Sequence, residues 1–320
     1  MIDMHKQNQK ALFGIIVTIA MMIVGLIYTS YSRPSSHHKV FGVTYMTMNN
    51  PFYEIINNEL EKVIDQNGDR LITLDPALDV IKQNEQIHFF INQNVDGIFV
   101  NPIDYKQIQP ALLAAKKAHI PIIVVDAPIK NKELVNCTIV SDNYNAGVQC
   151  ANDMMNTMSS AKIVLLKHSS AKSAKDRIDG FLDTIQSHPQ YQIVDEGECE
   201  GQLELAMPLM QKIIKKHRDI DVVMALNDPS ALGALAALEN NGMKNVKVYG
   251  VDGTPDVKSL IRQTPMVAGT VAQSPISFGY TAALKMYDLL AHKTVDSNII
   301  VPVTLITKKN IDDFDETGWQ

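Results

Sequence analysis

The chain has 320 residues, of which 46% are hydrophobic and 20% charged, and its formal net charge is -6. That length exceeds most single cores and implies two lobes of roughly 100–150 residues each. The acidic balance argues against a nucleic-acid partner, which would favour a basic domain or stripe.

The chain opens on an uncharged apolar run over residues 11–28. Eighteen residues in a helix rising ~1.5 Å per residue span about 27 Å, close to the ~30 Å hydrocarbon core of a bilayer. Lys6 and Lys10 precede the run while Arg33 and Lys39 follow it, so the positive-inside bias is weak. A cleaved secretory signal is the rival reading, but its apolar core is normally only about 7–15 residues long. Ser30, Tyr31 and Ser32 also make a poor small-x-small cleavage site, and no cysteine lies near the end of the run for lipid attachment. The expectation is a cytoplasmic tail over 1–10, an uncleaved transmembrane signal anchor over 11–28 and a Ser/Pro/His-rich linker over 29–39. His37 and His38 in the linker have no carboxylate or cysteine cluster beside them.

From residue 40 the pattern alternates strand and helix, which implies a mainly parallel sheet covered by helices on both faces. Strand 40–44 feeds helix 51–66, and Asn67-Gly68-Asp69 punctuates the turn. Strand 71–74 follows, then helix 78–93 with apolar Val80, Ile81, Ile87, Phe90 and Ile91 near helical spacing. Strand 97–100 ends at Asn101-Pro102, helix 105–118 leads to strand 120–125 and Asp126, and strand 137–140 reaches Ser141. The pattern then restarts with helix 144–158, strand 162–166, helix 174–187, strand 192–196 and helix 202–217. Strand 221–225 ends at Asn227-Asp228 and is followed by helix 229–241. Strand 246–251 ends at Asp252-Gly253, and strand 267–271 reaches Gln273 before helix 276–291. Two similar α/β halves result, with the chain returning to the first near its end.

In open α/β sheets ligands bind outside the carboxyl ends of the strands. Asn50, Asn101, Asp126, Asn227, Asp252 and Gln273 all stand at such ends. Their short planar groups offer fixed oxygen acceptors, with amide donors on Asn and Gln. Phe52 and Tyr53 add flat apolar faces, so the set suits a polyhydroxylated ring. Local roles compete: Asn50 before Pro51 fits a helix cap, and Asp126-Ala-Pro fits a turn. Asp228 before Pro229 is read as the cap, which leaves Asn227 as the ligand candidate, and Thr254-Pro255 caps the helix that follows Asp252. Lys172, Lys175 and Arg177 lie in the stretch after His168, as a solvated helix start or as donors to sugar hydroxyls.

Enzymatic signals are absent: there is no Gly-rich fingerprint after a strand, no Walker-type loop and no nucleophile elbow. Ser169 and Ser170 adjoin His168, but no third member of a triad can be placed. Cys137, Cys150 and Cys199 match no metal-ligand spacing. A Cys137–Cys150 bridge is possible, and buried thiols are the expectation. No cofactor and no metal are implied.

Seven runs in order, NNPFY (49–53), VNPID with Asn101, IPIIVVDAP (120–128), SDN (141–143), NDPSALGALAAL (227–238), GVDGTPD (250–256) and the strand to Gln273, carry a resemblance. They resemble the ribose-binding, type I family of periplasmic sugar-binding proteins, in one register from about residue 40 to 306. The resemblance implies an α/β, two-lobed type I fold, each lobe a mainly parallel sheet flanked by helices, here preceded by one transmembrane helix. It implies an N-terminal lobe of 40–141 plus 274–303 and a C-terminal lobe of 142–273 plus 304–320, closing on a monosaccharide. By this likeness Asn50, Phe52, Tyr53, Asn101, Asp126, Asn227, Asp252 and Gln273 fall on ligand positions, with Lys175 and Arg177 supplying a basic contact.

The chain departs from ribose binders where they carry Arg after the first aspartate, here Ala127, and an aromatic before the second, here Val251. The aromatic expected near Gly201 is missing, and Met46 holds a position that is polar in those proteins. The pocket implied is less basic and less stacked, suited to another pentose or a hexose. Two partners follow: an ABC permease, with the chain as importer receptor, or a membrane histidine kinase, with the chain as a xylose-type sensor. A repressor sharing the fold would need a basic helix-turn-helix where the apolar run stands.

Overall fold

The structure is a computed structural model of the chain and describes residues 16–24 and 38–320. Residues 16–24 are helical. Among the described residues no helix is long and apolar enough to cross a membrane. The rest of the anchor expected over 11–28, and the linker up to residue 37, lie outside the described residues. The segment up to Lys39 forms a unit separate from Val40–Gln320, and the second unit holds both sheets.

Twelve strands form two six-stranded sheets. The first contains β1 (Val40–Thr44), β2 (Arg70–Leu74), β3 (Gly97–Val100), β4 (Ile122–Val125), β5 (Cys137–Ser141) and β11 (Asn298–Val301). Its order is β11-β5-β4-β3-β1-β2. The second contains β6 (Ala161–Lys167), β7 (Tyr191–Glu198), β8 (Val222–Ala225), β9 (Lys247–Asp252), β10 (Val267–Ala272) and β12 (Thr304–Thr307). Its order is β12-β10-β9-β8-β6-β7. All neighbours run parallel except β12, which pairs antiparallel with β10. The short runs GIFV of β3, IIVV of β4 and VVMA of β8 are buried at every position. Continuous apolar runs of this kind belong to strands covered on both faces.

Nine helices cover the sheets: α1 (Pro51–Gln66), α2 (Val80–Asn92), α3 (Gln109–Lys117), α4 (Asn143–Thr157), α5 (Lys172–Ile185), α6 (Leu203–Lys216), α7 (Asp228–Asn240), α8 (Pro255–Gln263) and α9 (Pro275–Leu290). Their starts are chemically marked: the side chains of Asn50, Asp79, Asp142, Asn227 and Thr254 accept hydrogen bonds from the first turns of α1, α2, α4, α7 and α8. The chain leaves the first sheet after β5, returns after β10 when α9 packs on α1, and crosses again between Val301 and Thr304.

Element edges shift from the expectation for local reasons. Asp104 accepts from the backbone N–H groups of Lys106 and Gln107 at 2.8 and 2.9 Å, so the chain turns there and α3 starts only at Gln109. His119 has φ 58°, which delays β4 to Ile122. Cys137 on β5 and Cys150 on α4 are both free and buried, in different lobes, so no bridge forms. Burial pushes the Cys137 thiol up to about 11, which makes it a poor nucleophile.

The contact of α4 with α5 positions the site. A Cβ on Gly147 would stand 1.8 Å from the Arg177 carbonyl oxygen, and one on Gly180 would stand 2.0 Å from that of Tyr144. The two backbones touch reciprocally, and no side chain fits between them. Gly147→Ala should therefore cost about 3 kcal/mol through overpacking, read as a lowered urea midpoint at unchanged slope.

Candidate functional site

The carboxyl ends of both sheets face one narrow cavity of about 30 Å³, below the ~300–1,000 Å³ usual for small-molecule sites. The first lobe lines it with Met46, Asn50, Phe52, Tyr53 and Asp126, and the second with His168, Arg177, Glu200, Asn227, Asp252 and others. Lobe-to-lobe hydrogen bonds border it. Asn49 Nδ2 donates to Gln202 Oε1 at 3.2 Å and Glu204 Oε1 at 2.8 Å, and the Tyr105 N–H donates to the Ser170 carbonyl at 3.3 Å.

Two aspartates face each other across this space, and both hold unusual backbone. Asp126 has φ 65° and Asp252 φ 143°, conformations that L-residues rarely adopt and that cost about 1–3 kcal/mol each. Asp126 Oδ2 accepts from Asn101 Nδ2 at 3.1 Å and from the Tyr53 hydroxyl at 3.4 Å. Its Oδ1 is buried and has no hydrogen-bond partner. Asp252 Oδ1 accepts from Gln273 Nε2 at 2.8 Å, and its Oδ2 accepts from the Asp228 N–H at 3.4 Å. Gln273 Oε1 is also buried without a partner. Arg177, 4% exposed, donates from Nε to Asn143 Oδ1 at 2.8 Å and from Nη1 to the Leu226 carbonyl at 2.9 Å. Its Nη1 lies 3.7 Å from Asp252 Oδ1.

Burial raises the pKa of Asp126, and Arg177 partly offsets it. Burial also holds Asp252 well above the usual carboxylate range; Arg177 pulls it down, while Asp228 and Asp126 push it further up. The Tyr53 hydroxyl is raised by burial and then by Asp126 and Asp252, so it remains a donor. Burial lowers the pKa of His168, favouring neutral imidazole.

Of the residues singled out in the sequence, Asn50, Phe52, Tyr53, Asp126, Arg177, Asn227, Asp252 and Gln273 line the cavity. Asn101 does not: its amide is spent on Asp126, the Val125 carbonyl and the Met46 N–H. It holds Asp126 from behind. Lys175 does not either. The face of α5 that turns inward carries Ser173, Ala174 and Arg177, while Lys175 is exposed and pairs with Asp179 one turn on. Capping is exchanged relative to expectation: Asn227 Oδ1 caps α7 through the Ser230 N–H at 3.0 Å. Asp228 is fully buried and accepts from Thr254 Oγ1 at 2.9 Å and Thr270 Oγ1 at 2.6 Å. Asn227 Nδ2 donates to the Gly201 carbonyl at 3.0 Å, which leaves one of its two amide hydrogens for the cavity.

The Phe52 ring is met edge-on by Tyr53, Phe278 and Trp319 at centroid distances of 5.7, 6.1 and 5.7 Å, so the aromatic wall is braced from behind. His168, just beyond β6, and Glu200, just beyond β7, are lining residues the sequence reading missed. They follow the same strand-end rule that picked out the others. Among the described residues no group of three or more His, Cys, Asp or Glu side chains could hold a metal ion.

Residues 41–294 match the periplasmic binding protein domain. The chain belongs to the periplasmic binding protein family. Within it, this binding protein is ribose-binding-like. It is similar to the ribose import binding protein of Bacillus subtilis, 29% identical over 309 residues that cover 94% of this chain and 100% of the relative. It is also similar to the xylitol-binding protein of Mycolicibacterium smegmatis, 26% identical over 87% of this chain and 80% of the relative. Among solved structures it resembles an ABC transporter solute binding protein from Mycobacterium smegmatis with bound glycerol. That likeness has a TM-score of 0.82 at 26% identity, over 86% of this chain and 96% of the other. The binding protein has the two-lobed type I fold, it is not an enzyme, and the family is extracytoplasmic.

Proposed function

We propose that this chain is a membrane-anchored extracytoplasmic receptor that closes on a monosaccharide, a pentose or a hexose, and presents it to an ABC permease. One observation carries the reading: the closed cleft buries two polar oxygens, Asp126 Oδ1 and Gln273 Oε1, with no partner. Each unpaired buried acceptor costs about 1–3 kcal/mol. A polyol that donates to both stabilises the closed form selectively, and a ligand shifts an equilibrium only through such a difference. In this reading Asp126 and Asp252 accept sugar hydroxyls. Arg177, Asn50, Asn227 and Gln273 complete the polar ring, and Phe52 and Tyr53 meet the C–H face. Asn101 acts through Asp126, and Lys175 has no direct contact.

Relatives named for ribose, xylitol and arabinose support a small polyol, and Ala127 and Val251 favour one other than ribose. Those named as import or transporter proteins favour a permease over a histidine kinase as the partner of the closed form. The anchor rests on the apolar run 11–28, so the full-length chain should stay in the membrane pellet after alkaline carbonate washing, and release into the wash would remove it. The ligand reading is tested by a thermal-shift screen of the full-length chain against pentoses, hexoses and polyols. A true ligand at about 100 times its Kd adds about 2.7 kcal/mol of stability. Silence across that panel, extended to aminated hexoses and inositols, would sink the receptor reading.

A further inference from the structure

We propose that the ligand of this cleft carries an amine, so that the physiological substrate class is an amino sugar or amino-polyol. This rests on the receptor reading above and narrows it.

The charge arrangement carries the inference. Three carboxylates line the cavity, Asp126, Glu200 and Asp252, against the single guanidinium of Arg177. Two of that guanidinium's five donors are already committed. Its Nε and Nη1 donate to Asn143 and Leu226, and its nearest carboxylate is Asp252, at 3.7 Å. Asp126 has only neutral hydrogen-bond partners, Asn101 and Tyr53. Among the described residues no cationic side chain pairs with it. His168 lines the same wall, but its burial disfavours the charged form.

The unpartnered atoms agree. Both buried oxygens left over in the cleft, Asp126 Oδ1 and Gln273 Oε1, are acceptors. A hydroxyl brings one donor together with acceptor lone pairs that themselves need satisfying, whereas an ammonium brings three donors and no acceptor. Asp126 from one lobe also disfavours the ionisation of Asp252 from the other. An ammonium seated beside Asp126 supplies the missing cation where closure brings the like charges together. The bonds it makes are charge-assisted, about twice as strong as neutral ones.

The test is titration calorimetry on the purified full-length chain with three matched pairs: glucosamine and glucose, galactosamine and galactose, and an amino-inositol and myo-inositol. At least one aminated member should bind at least about ten-fold tighter than its neutral twin, as a charge-assisted bond in place of a neutral one requires. Asp126→Asn should erase that preference, and Glu200→Gln, at the exposed rim, should reduce it while leaving the fold untouched by circular dichroism. Neutral twins that bind as tightly as their amines in every pair would overturn the amine and leave the sugar receptor standing. An amine preference that survives Asp126→Asn would overturn the assignment of the cation to this carboxylate. No binding by any of the six, while the wider neutral panel gives a hit, overturns the amine alone. Silence in both overturns the receptor reading as well.

Discussion

Arg177→Met is expected to cost about 3–5 kcal/mol of stability, the usual penalty for removing one partner of a buried ion pair, and to abolish ligand binding. Among the described residues Arg177 is the only Arg or Lys lining the cleft, and the groups it hydrogen-bonds are buried with it. Its loss removes the donors to Asn143 Oδ1 and the Leu226 carbonyl. It also leaves Asp252 facing Asp228 and Asp126 with only the neutral Gln273 amide and the Asp228 N–H to favour its charge. Arg177→Lys should not rescue binding, because an ammonium lacks the planar fork that serves Asn143, Leu226 and Asp252 together. The double variant with Asp252→Asn should recover part of the stability and none of the binding. That pattern separates loss of charge compensation from simple loss of packing. Urea unfolding and calorimetry of the three proteins decide it, and a single variant as stable as the parent would refute the argument.

The fold was largely legible because several βα units repeat the same local chemistry. An apolar run too short for a helix is followed by Asn, Asp or Thr and then by Pro, as at Asn50-Pro51 and Thr254-Pro255. The strand-end rule worked for the same reason, and its omissions were of application. His168 and Glu200 stand beyond β6 and β7 as Asp126 stands beyond β4, but the adjoining Ser169 and Ser170 give His168 a rival catalytic reading. What the rule cannot supply is the direction of a side chain. Lys175 and Arg177 are two residues apart on α5, about 200° around a helix, so only one can face the cleft. The reciprocal contact of Gly147 and Gly180 settles which. Asn227 and Asp228 are both able to cap α7. The choice between them depends on Thr254 and Thr270, which reach Asp228 from elements far along the chain. Asn101 likewise reads as a ligand residue until its amide is seen to be spent on Asp126.

Asp126→Asn should move stability and affinity in opposite directions. The substitution keeps an oxygen that can accept from Asn101 and Tyr53 in place of the present bonds, and it removes a buried charge that no cation contacts directly and that Arg177 offsets only in part. Binding should weaken by at least about 2 kcal/mol, roughly 30-fold, because ligand donors lose a charged acceptor. The ligand-free protein should gain stability at neutral pH. The sign follows from the raised carboxyl: a group that holds its proton more tightly folded than unfolded favours the folded state below the unfolded value of about 3.9. That contribution is lost as pH rises through the raised folded value. Asp252 acts in the same direction. The parent, without ligand, should therefore lose stability from these two groups as pH rises above about 4, and the Asn variant should lose less of it. Urea titrations at about pH 4.5 and about pH 7.5 should show the gap between variant and parent widening with pH. A variant less stable than the parent at both values would mean that Asp126 is compensated in the free protein. The strained, uncompensated aspartate would then no longer be a feature kept for the ligand at the expense of the fold.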